Sequence, residues 1–372
     1  MVAGEASGDM HAAALVRRLK QRDPAIRVTG IGGKALREAG MEITVDAARL
    51  AVVGIIEVIT HWREIKGALE AMRRVLREEK PDLLVLVDYA EFNLKLAQTA
   101  KECGVPVLFY ISPQVWAWRQ KRVEKIRARV DMMAVVFPFE AEFYRQHDVP
   151  VRFVGHPLLH AIPPQAREAN GPAEGIRTIG LFPGSRRSEI RRLLPAILGA
   201  AEILRRQRPA LRFVLPVAST LDADDLREAA GGGLPDWIRL MDGKAREAIA
   251  ASDVVITASG TATLEIALYG KPMVIVYRVA ALTYAIVSRL LKIDHIGLCN
   301  IVAGERVVPE LLQKDASPAG IAAEISRFLD DEAYYEATRN KLRTIRDQLG
   351  EEKIDMELDE LVFEMLGQSA KT

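Results

Sequence analysis

The chain has 372 residues, 49% of them apolar and 27% charged, with 51 Lys and Arg against 50 Asp and Glu. This length accommodates two to three domains of about 150 residues with substantial cores, which excludes a small disulfide-stapled module. The balanced charge argues against nucleic-acid binding driven by bulk charge. Its two cysteines, Cys103 and Cys299, lie far apart without a C-x-x-C partner, so neither a disulfide framework nor a thiolate metal site is indicated. No run approaches the ~18 apolar residues of a membrane span and the start lacks a signal-peptide pattern, so the expected compartment is the cytoplasm.

Met1, Val2 and Ala3 run straight into Gly4, which leaves little strand before a glycine-rich turn; the start reads as truncated or misassigned. Apolar, β-branched runs at 26–28, 83–87, 107–110, 132–136 and 152–154 alternate with helical patterns at 12–20, 65–79 and 94–102. This is the pattern of βα units around a parallel sheet, and the fold class is α/β. The stretch 161–176, with Pro163, Pro164, Gly171, Pro172 and Gly175, reads as a linker. A second set of strand patterns follows at 178–182, 212–217, 254–257 and 273–277, and after Pro318 the pattern is helical. The expected organisation is two facing Rossmann-like domains, 1–165 and 174–335, with an interdomain cleft and closing helices at 336–372. One of these helices is a candidate to return to the first domain, or to exchange between subunits of a homodimer.

The sharpest local signal is Pro183-Gly184-Ser185-Arg186-Arg187-Ser188-Glu189. A strand ending in Gly-Ser at a helix start offers free backbone N–H groups, and Arg186 adds a forked cation, so the turn suits a diphosphate; the alternative is a plain capped helix. Ser259-Gly260-Thr261 repeats the device after a second strand, with Glu265 placed to accept from ribose hydroxyls. Asp88 ends the buried run 83–87, where a general base could deprotonate an acceptor hydroxyl, although a turn or cap residue fits the position equally; Glu91 and Asn93 follow closely. Ser112-Pro113-Gln114-Val115-Trp116-Ala117-Trp118-Arg119 reads either as a substrate wall or as a turn with a tryptophan anchored in the core.

The basic run Arg119, Lys121, Arg122, Lys125, Arg127 and Arg129 suits phosphate or anionic headgroups, with a solvated helix face as the default. The weakly charged stretches 52–62 and 282–291 are either exposed apolar patches for a membrane or packed helices. Asp222-Ala223-Asp224 is read as a helix start rather than a metal motif. His156 and His160, separated by Pro157, lack a third ligand, so His156 is a cleft or hinge residue.

Gly4-Glu5-Ala6-Ser7-Gly8-Asp9, Phe92-Asn93-Leu94, the Ser112 to Arg119 stretch with Lys121-Arg122, Pro138-Phe139-Glu140, Val154-Gly155-His156-Pro157, Pro183-Gly184-Ser185-Arg186, Ser259-Gly260-Thr261 with Glu265, and Asn300 stand in one order. In this the chain resembles the lipid-A-disaccharide synthases over essentially its whole length. The resemblance implies a GT-B type glycosyltransferase that uses no metal or other cofactor, lying at the inner face of the bacterial inner membrane. It implies transfer from a UDP-linked diacylglucosamine donor to a diacylglucosamine 1-phosphate acceptor, giving a β-1,6 disaccharide 1-phosphate and UDP, with inversion.

Carried over, Asp88 is the base and Arg186 stabilises the leaving diphosphate. Gly184, Ser185, Ser259, Gly260, Thr261, Glu265 and Asn300 line the nucleotide end. Ser7, Gly8, Asp9, Asn93, Ser112, Gln114, Trp116, Arg119, Arg122 and His156 line the acceptor side. The family often reads Asp-Ala-Pro-Asp-Phe-Asn where this chain has Asp88-Tyr89-Ala90-Glu91-Phe92-Asn93, and Cys299 stands where proline often precedes Asn300. A UDP-N-acetylglucosamine 2-epimerase or another UDP-sugar enzyme is the competing enzymatic reading, and a non-catalytic sensor is a third.

Overall fold

A computed structural model describes residues 1–47, 50, 62–117, 120–162, 178–218, 220–279, 294–350 and 354–369. Arg119, Trp118, the run 282–291, nearly all of 52–62 and most of 161–176 lie outside the described residues. The chain divides into two compact units, Met1–Pro157 with Gly350–Thr372, and Leu158–Leu349.

In the first unit, β1 (Val2–Ala3), β2 (Thr29–Gly32), β3 (Glu42–Asp46), β4 (Leu84–Val87), β5 (Val107–Tyr110), β6 (Met132–Val135) and β7 (Val151–Phe153) form a parallel sheet in the order β3-β2-β1-β4-β5-β6-β7. Every residue of β4 and β5 is buried, as parallel strands covered by helices on both faces require. Val2 pairs with Ile31 on one side and Leu86 on the other, so strand order reverses between β1 and β4. Helix Ala6–Arg22 turns Ala12, Leu15, Val16 and Leu19 inward at helical spacing. Helix Ile354–Ser369 belongs to this unit: Asp359 pairs with Arg18 at 3.0 Å, Glu364 with Arg152 at 2.9 Å, and Arg22 lies 4.4 Å above the Phe363 ring.

In the second unit, β8 (Thr178–Phe182), β9 (Arg212–Val217), β10 (Ile238–Asp242), β11 (Val254–Ala258), β12 (Met273–Tyr277) and β13 (Glu310–Leu312) form a parallel sheet in the order β10-β9-β8-β11-β12-β13. Here the order reverses between β8 and β11. The core joins Ile179, Leu181, Ile256 and Val274 of the sheet to Ile190, Leu194 and Ile197 of helix Arg187–Gln207 and Ile321, Ile325 and Phe328 of helix Pro318–Asp330. Asp222 is the N-cap of helix Ala223–Ala229, accepting from the Asp225 N–H at 2.8 Å, so the Asp-x-Asp pair is a helix start.

The α/β class with two parallel sheets is as expected, and the interior strands fall within a residue or so of their apolar runs. The strand expected at 26–28 forms instead at Thr29–Gly32. Gly30, at φ +136°, approaches the Met1 carbonyl so closely that a Cβ would strike it, and this pairing sets the register against the sequence's propensity. Strands β3, β10 and β13 lie at or next to sheet edges and carry charges, so they lack the apolar run that marks interior strands.

Candidate functional site

In open parallel sheets, ligands bind at the carboxyl ends of the strands where strand order reverses. In the first unit that point brings the turn after β1 against the end of β4. A Cβ on Gly4 would lie 2.5 Å from the Tyr89 ring, so only glycine admits this approach. Asp88 and Tyr89 both adopt φ +48°, and Ile111 at the end of β5 adopts φ +62°. Left-handed backbone costs a non-glycine residue of order 1 kcal/mol or more, most for a β-branched one, and such strain collects at functional sites.

Asn93 holds this turn. Fully buried, it donates from Nδ2 to the Asp88 carbonyl at 2.6 Å and to the Val87 carbonyl at 3.3 Å, while its Oδ1 is buried without a partner. The Asp88 carboxyl is pushed up to about 6, chiefly by burial and further by the negative charge of Glu5 in the β1 turn. A partly exposed carboxylate titrating there is matched to taking a proton near neutral pH.

The other candidates of this unit divide by their partners. Ser7, at the start of helix Ala6–Arg22, and Gln114 are exposed, and Gly8 packs on Val87. Asp9 is committed: its two carboxylate oxygens accept from the Gly33 N–H at 2.5 Å and the Ala35 N–H at 2.9 Å, clamping helix Lys34–Glu38. It therefore ties two turns together instead of facing a substrate. Trp116, expected at a substrate wall, is an interior anchor; its Nε1 donates to Glu140 at 3.1 Å and its ring meets Phe139 edge-on at 4.8 Å.

Glu140 also accepts from the Phe137 N–H at 3.3 Å, and Ser112 lies within hydrogen-bond reach of both Glu140 and the Tyr144 hydroxyl, the latter at 2.7 Å. Burial drives the Glu140 carboxyl up to about 8. His156 is buried against the Phe137 ring at 5.0 Å, and burial lowers it to about 3, so its ring is neutral at physiological pH. Arg122 pairs with Glu91, and Arg129 donates to the Leu94 carbonyl at 3.0 Å, so part of the basic run braces helix Ala90–Glu102.

In the second unit the reversal point carries a cavity of about 320 Å³ lined by Pro183, Gly184, Ser185, Arg186 and Glu189 from the β8 side and Ser259, Gly260 and Thr261 from the β11 side. Both turns that the sequence marks for a nucleotide therefore open on one cavity. Gly184, at φ +115°, and Gly260, at φ +153°, make the two turns possible. Arg186 is 64% exposed, and Thr220 Oγ1 donates to the Ser185 carbonyl at 2.6 Å, holding the loop from outside.

Glu265 receives Arg246 Nε at 2.7 Å, so this carboxylate is paired with a cation. Asn300 is fully buried: Nδ2 donates to the Val308 carbonyl at 2.9 Å and Glu310 Oε1 at 2.8 Å, and Oδ1 accepts from the N–H groups of Val307 at 2.9 Å and Val308 at 3.0 Å. With every polar valence used, it organises the loop instead of lining the nucleotide end. Glu310 in turn accepts from the Gly297 N–H at 2.9 Å, and the Ile296 carbonyl accepts from Ser259 Oγ at 2.8 Å, so Asn300 reaches the cavity through its neighbours.

Glu140 and Glu189 stand inside motifs that the sequence marks without assigning them a role, and Glu310 lies outside every motif. The first two stand at the third position of a helix, where glutamate commonly turns back on the N-terminus, and that spacing is visible in the sequence. Among the described residues no group of three or more His, Cys, Asp or Glu side chains is arranged to hold a metal ion, and no helix is long and apolar enough to cross a membrane.

The family model for lipid-A-disaccharide synthetase matches residues 1–364. The lipid-A-disaccharide synthase of Geobacter sulfurreducens is 51% identical over 99% of this chain and 97% of its own length. Among solved structures, the UDP-GlcNAc 2-epimerase of Neisseria meningitidis bound to UDP-GlcNAc superposes with a TM-score of 0.63 at 14% identity, covering 98% of each chain. The calicheamicin glycosyltransferase gives 0.60 at 18% identity, covering 96% of this chain and 94% of its own. Identities this low speak to the shared GT-B fold alone, whereas the full-length match is specific, and the chain belongs to the lipid-A-disaccharide synthetase family of glycosyltransferases.

Proposed function

We propose that this enzyme transfers the sugar of UDP-2,3-diacylglucosamine to 2,3-diacylglucosamine 1-phosphate in a single displacement, with inversion and without a metal ion. The acceptor's 6-hydroxyl oxygen attacks the donor's anomeric carbon, the bond from that carbon to the diphosphate breaks, and the hydroxyl proton passes to Asp88. The products are the β-1,6 disaccharide 1-phosphate and UDP. The observation that carries this reading is Asp88 itself, a strained, half-buried carboxylate at the strand-order reversal with its pKa raised to about 6.

On the donor side, the N–H groups of the 183–186 loop and the Arg186 guanidinium offset the charge that develops on the leaving diphosphate, the work a divalent cation does in other transferases. Gly260 and Thr261 border the same cavity and bound the nucleotide. Glu265 and Asn300 act as positioning residues behind it, and Asn93 does the same behind Asp88. Both substrates carry acyl chains, so the enzyme works as a peripheral protein on the cytoplasmic membrane face; exposed Lys121 and Lys125 suit anionic headgroups.

The test is to incubate the purified enzyme with both substrates in detergent with excess EDTA and to read the new linkage from its anomeric one-bond carbon–proton coupling. A β-linked product formed at an undiminished rate is expected. Dependence on added divalent metal, or an α-linked product, overturns the proposal.

A further inference from the structure

In the second unit one carboxylate already occupies the groups assigned above to the donor's diphosphate. Glu189 stands one turn into helix Arg187–Gln207 and folds back over the loop. Its Oε2 accepts from the Ser185 N–H at 3.1 Å, and Arg186 Nη1 lies 3.5 Å from its Oε1. A Cβ on Gly184 would sit 2.5 Å from Oε2, so glycine is what lets the carboxylate lie against the loop backbone. Glu189 lines the same cavity as Ser185 and Arg186.

The neighbouring cations are paired differently. Arg187 reaches Asp225 at 2.8 Å and Arg191 reaches Glu228 at 2.8 Å, both on or beside helix Ala223–Ala229. Arg186 alone of these three pairs with the loop's own glutamate, and at the longest distance. Meanwhile Thr220 holds the Ser185 carbonyl independently, so the loop has a support that does not depend on Glu189.

A carboxylate and a phosphate draw on the same donors, N–H groups at a helix start and a guanidinium fork, and two anions cannot share them without repulsion. We propose that Glu189 is an internal stand-in for the diphosphate, a positioning residue that keeps the loop ordered between turnovers, swings away when the UDP donor enters, and returns as UDP leaves. This rests on the reading that the 183–186 loop binds the donor's diphosphate. Its consequence is that donor affinity is set below what the loop could reach, and that product release is assisted by a competing carboxylate.

The test is calorimetric binding of UDP and of uridine to the full-length enzyme, its Glu189→Gln and Glu189→Asp variants, and Arg186→Ala. Removing a competitor the size of an exposed ion pair tightens UDP binding about three- to fivefold in Glu189→Gln, and in Glu189→Asp the withdrawn charge does so to a smaller extent. Uridine affinity stays unchanged in both, and stopped-flow release of UDP slows in proportion. UDP affinity that is unchanged or weakened in a folded Glu189→Gln variant overturns the proposal and leaves Glu189 as a helix cap. UDP affinity unchanged in Arg186→Ala overturns the diphosphate reading beneath it, so the two failures are told apart.

Discussion

Replacing Asp88 with Asn separates what this residue does for the reaction from what it costs the fold. Asn tolerates the left-handed backbone at position 88 nearly as well as Asp, so the turn is preserved. The carboxyl titrates at about 6 in the folded protein against 3.8 in an unfolded chain. Between those values the folded state holds the proton more firmly than the unfolded state, so stability declines as pH rises from about 4 to about 6, and the full penalty remains above that. At about 1.4 kcal/mol per pH unit the difference is about 3 kcal/mol, which partial exposure reduces to about 1–3 kcal/mol.

Asp88→Asn is therefore more stable than the wild type at pH 8 by about that amount, with the gap closing toward pH 4. Loss of a general base lowers kcat by about 10²- to 10⁴-fold. Urea unfolding at pH 8, 6 and 4, paired with initial rates of disaccharide formation, measures both. A variant that is less stable at pH 8, or one that turns over at the wild-type rate, refutes the reasoning.

Asn300→Ala removes four hydrogen bonds and strands the Val308 N–H, while the Val307 N–H keeps the Glu305 carbonyl at 3.0 Å; this should cost about 2–4 kcal/mol in denaturant unfolding, and a loss below about 1 kcal/mol contradicts its role as organiser of the loop. Glu140 titrates at about 8 when folded against 4.5 when unfolded, so its contribution falls as pH rises between those values. Glu140→Gln should then gain melting temperature relative to the wild type from pH 5 to pH 8 and level off above; parallel curves would show that the carboxyl does not titrate with folding.

What was legible in the sequence follows from what a local pattern can encode. Interior strands such as Leu84–Val87 and Val107–Tyr110 announce themselves because burial on both faces demands unbroken apolar residues. The edge strand Ile238–Asp242 alternates with charges and resembles a loop. The Gly-Ser turn at 184–185 and the Ser-Gly turn at 259–260 were readable because a turn from strand to helix at these positions requires small residues, and the structure opens both on one cavity.

Partners were not readable. Asp9 looks like a ligand-facing carboxylate until Gly33 and Ala35 are folded onto it, and Trp116 looks like a wall until Glu140 takes its indole N–H. Asn300 carries the same lesson at shorter range, since its partners at 307, 308 and 310 are backbone groups and a carboxylate that its own side chain gathers. In each case burial decides the role, and burial is a property of the assembled unit.

The epimerases share this fold, so the fold does not separate sugar transfer from epimerisation, whereas the reaction products do. The most direct measurement is mass-spectrometric analysis of the products formed by the purified enzyme from UDP-2,3-diacylglucosamine and 2,3-diacylglucosamine 1-phosphate in detergent. The account predicts a disaccharide monophosphate and UDP in equal amounts. An epimerised sugar nucleotide, or no disaccharide from a folded protein that binds UDP, would contradict it.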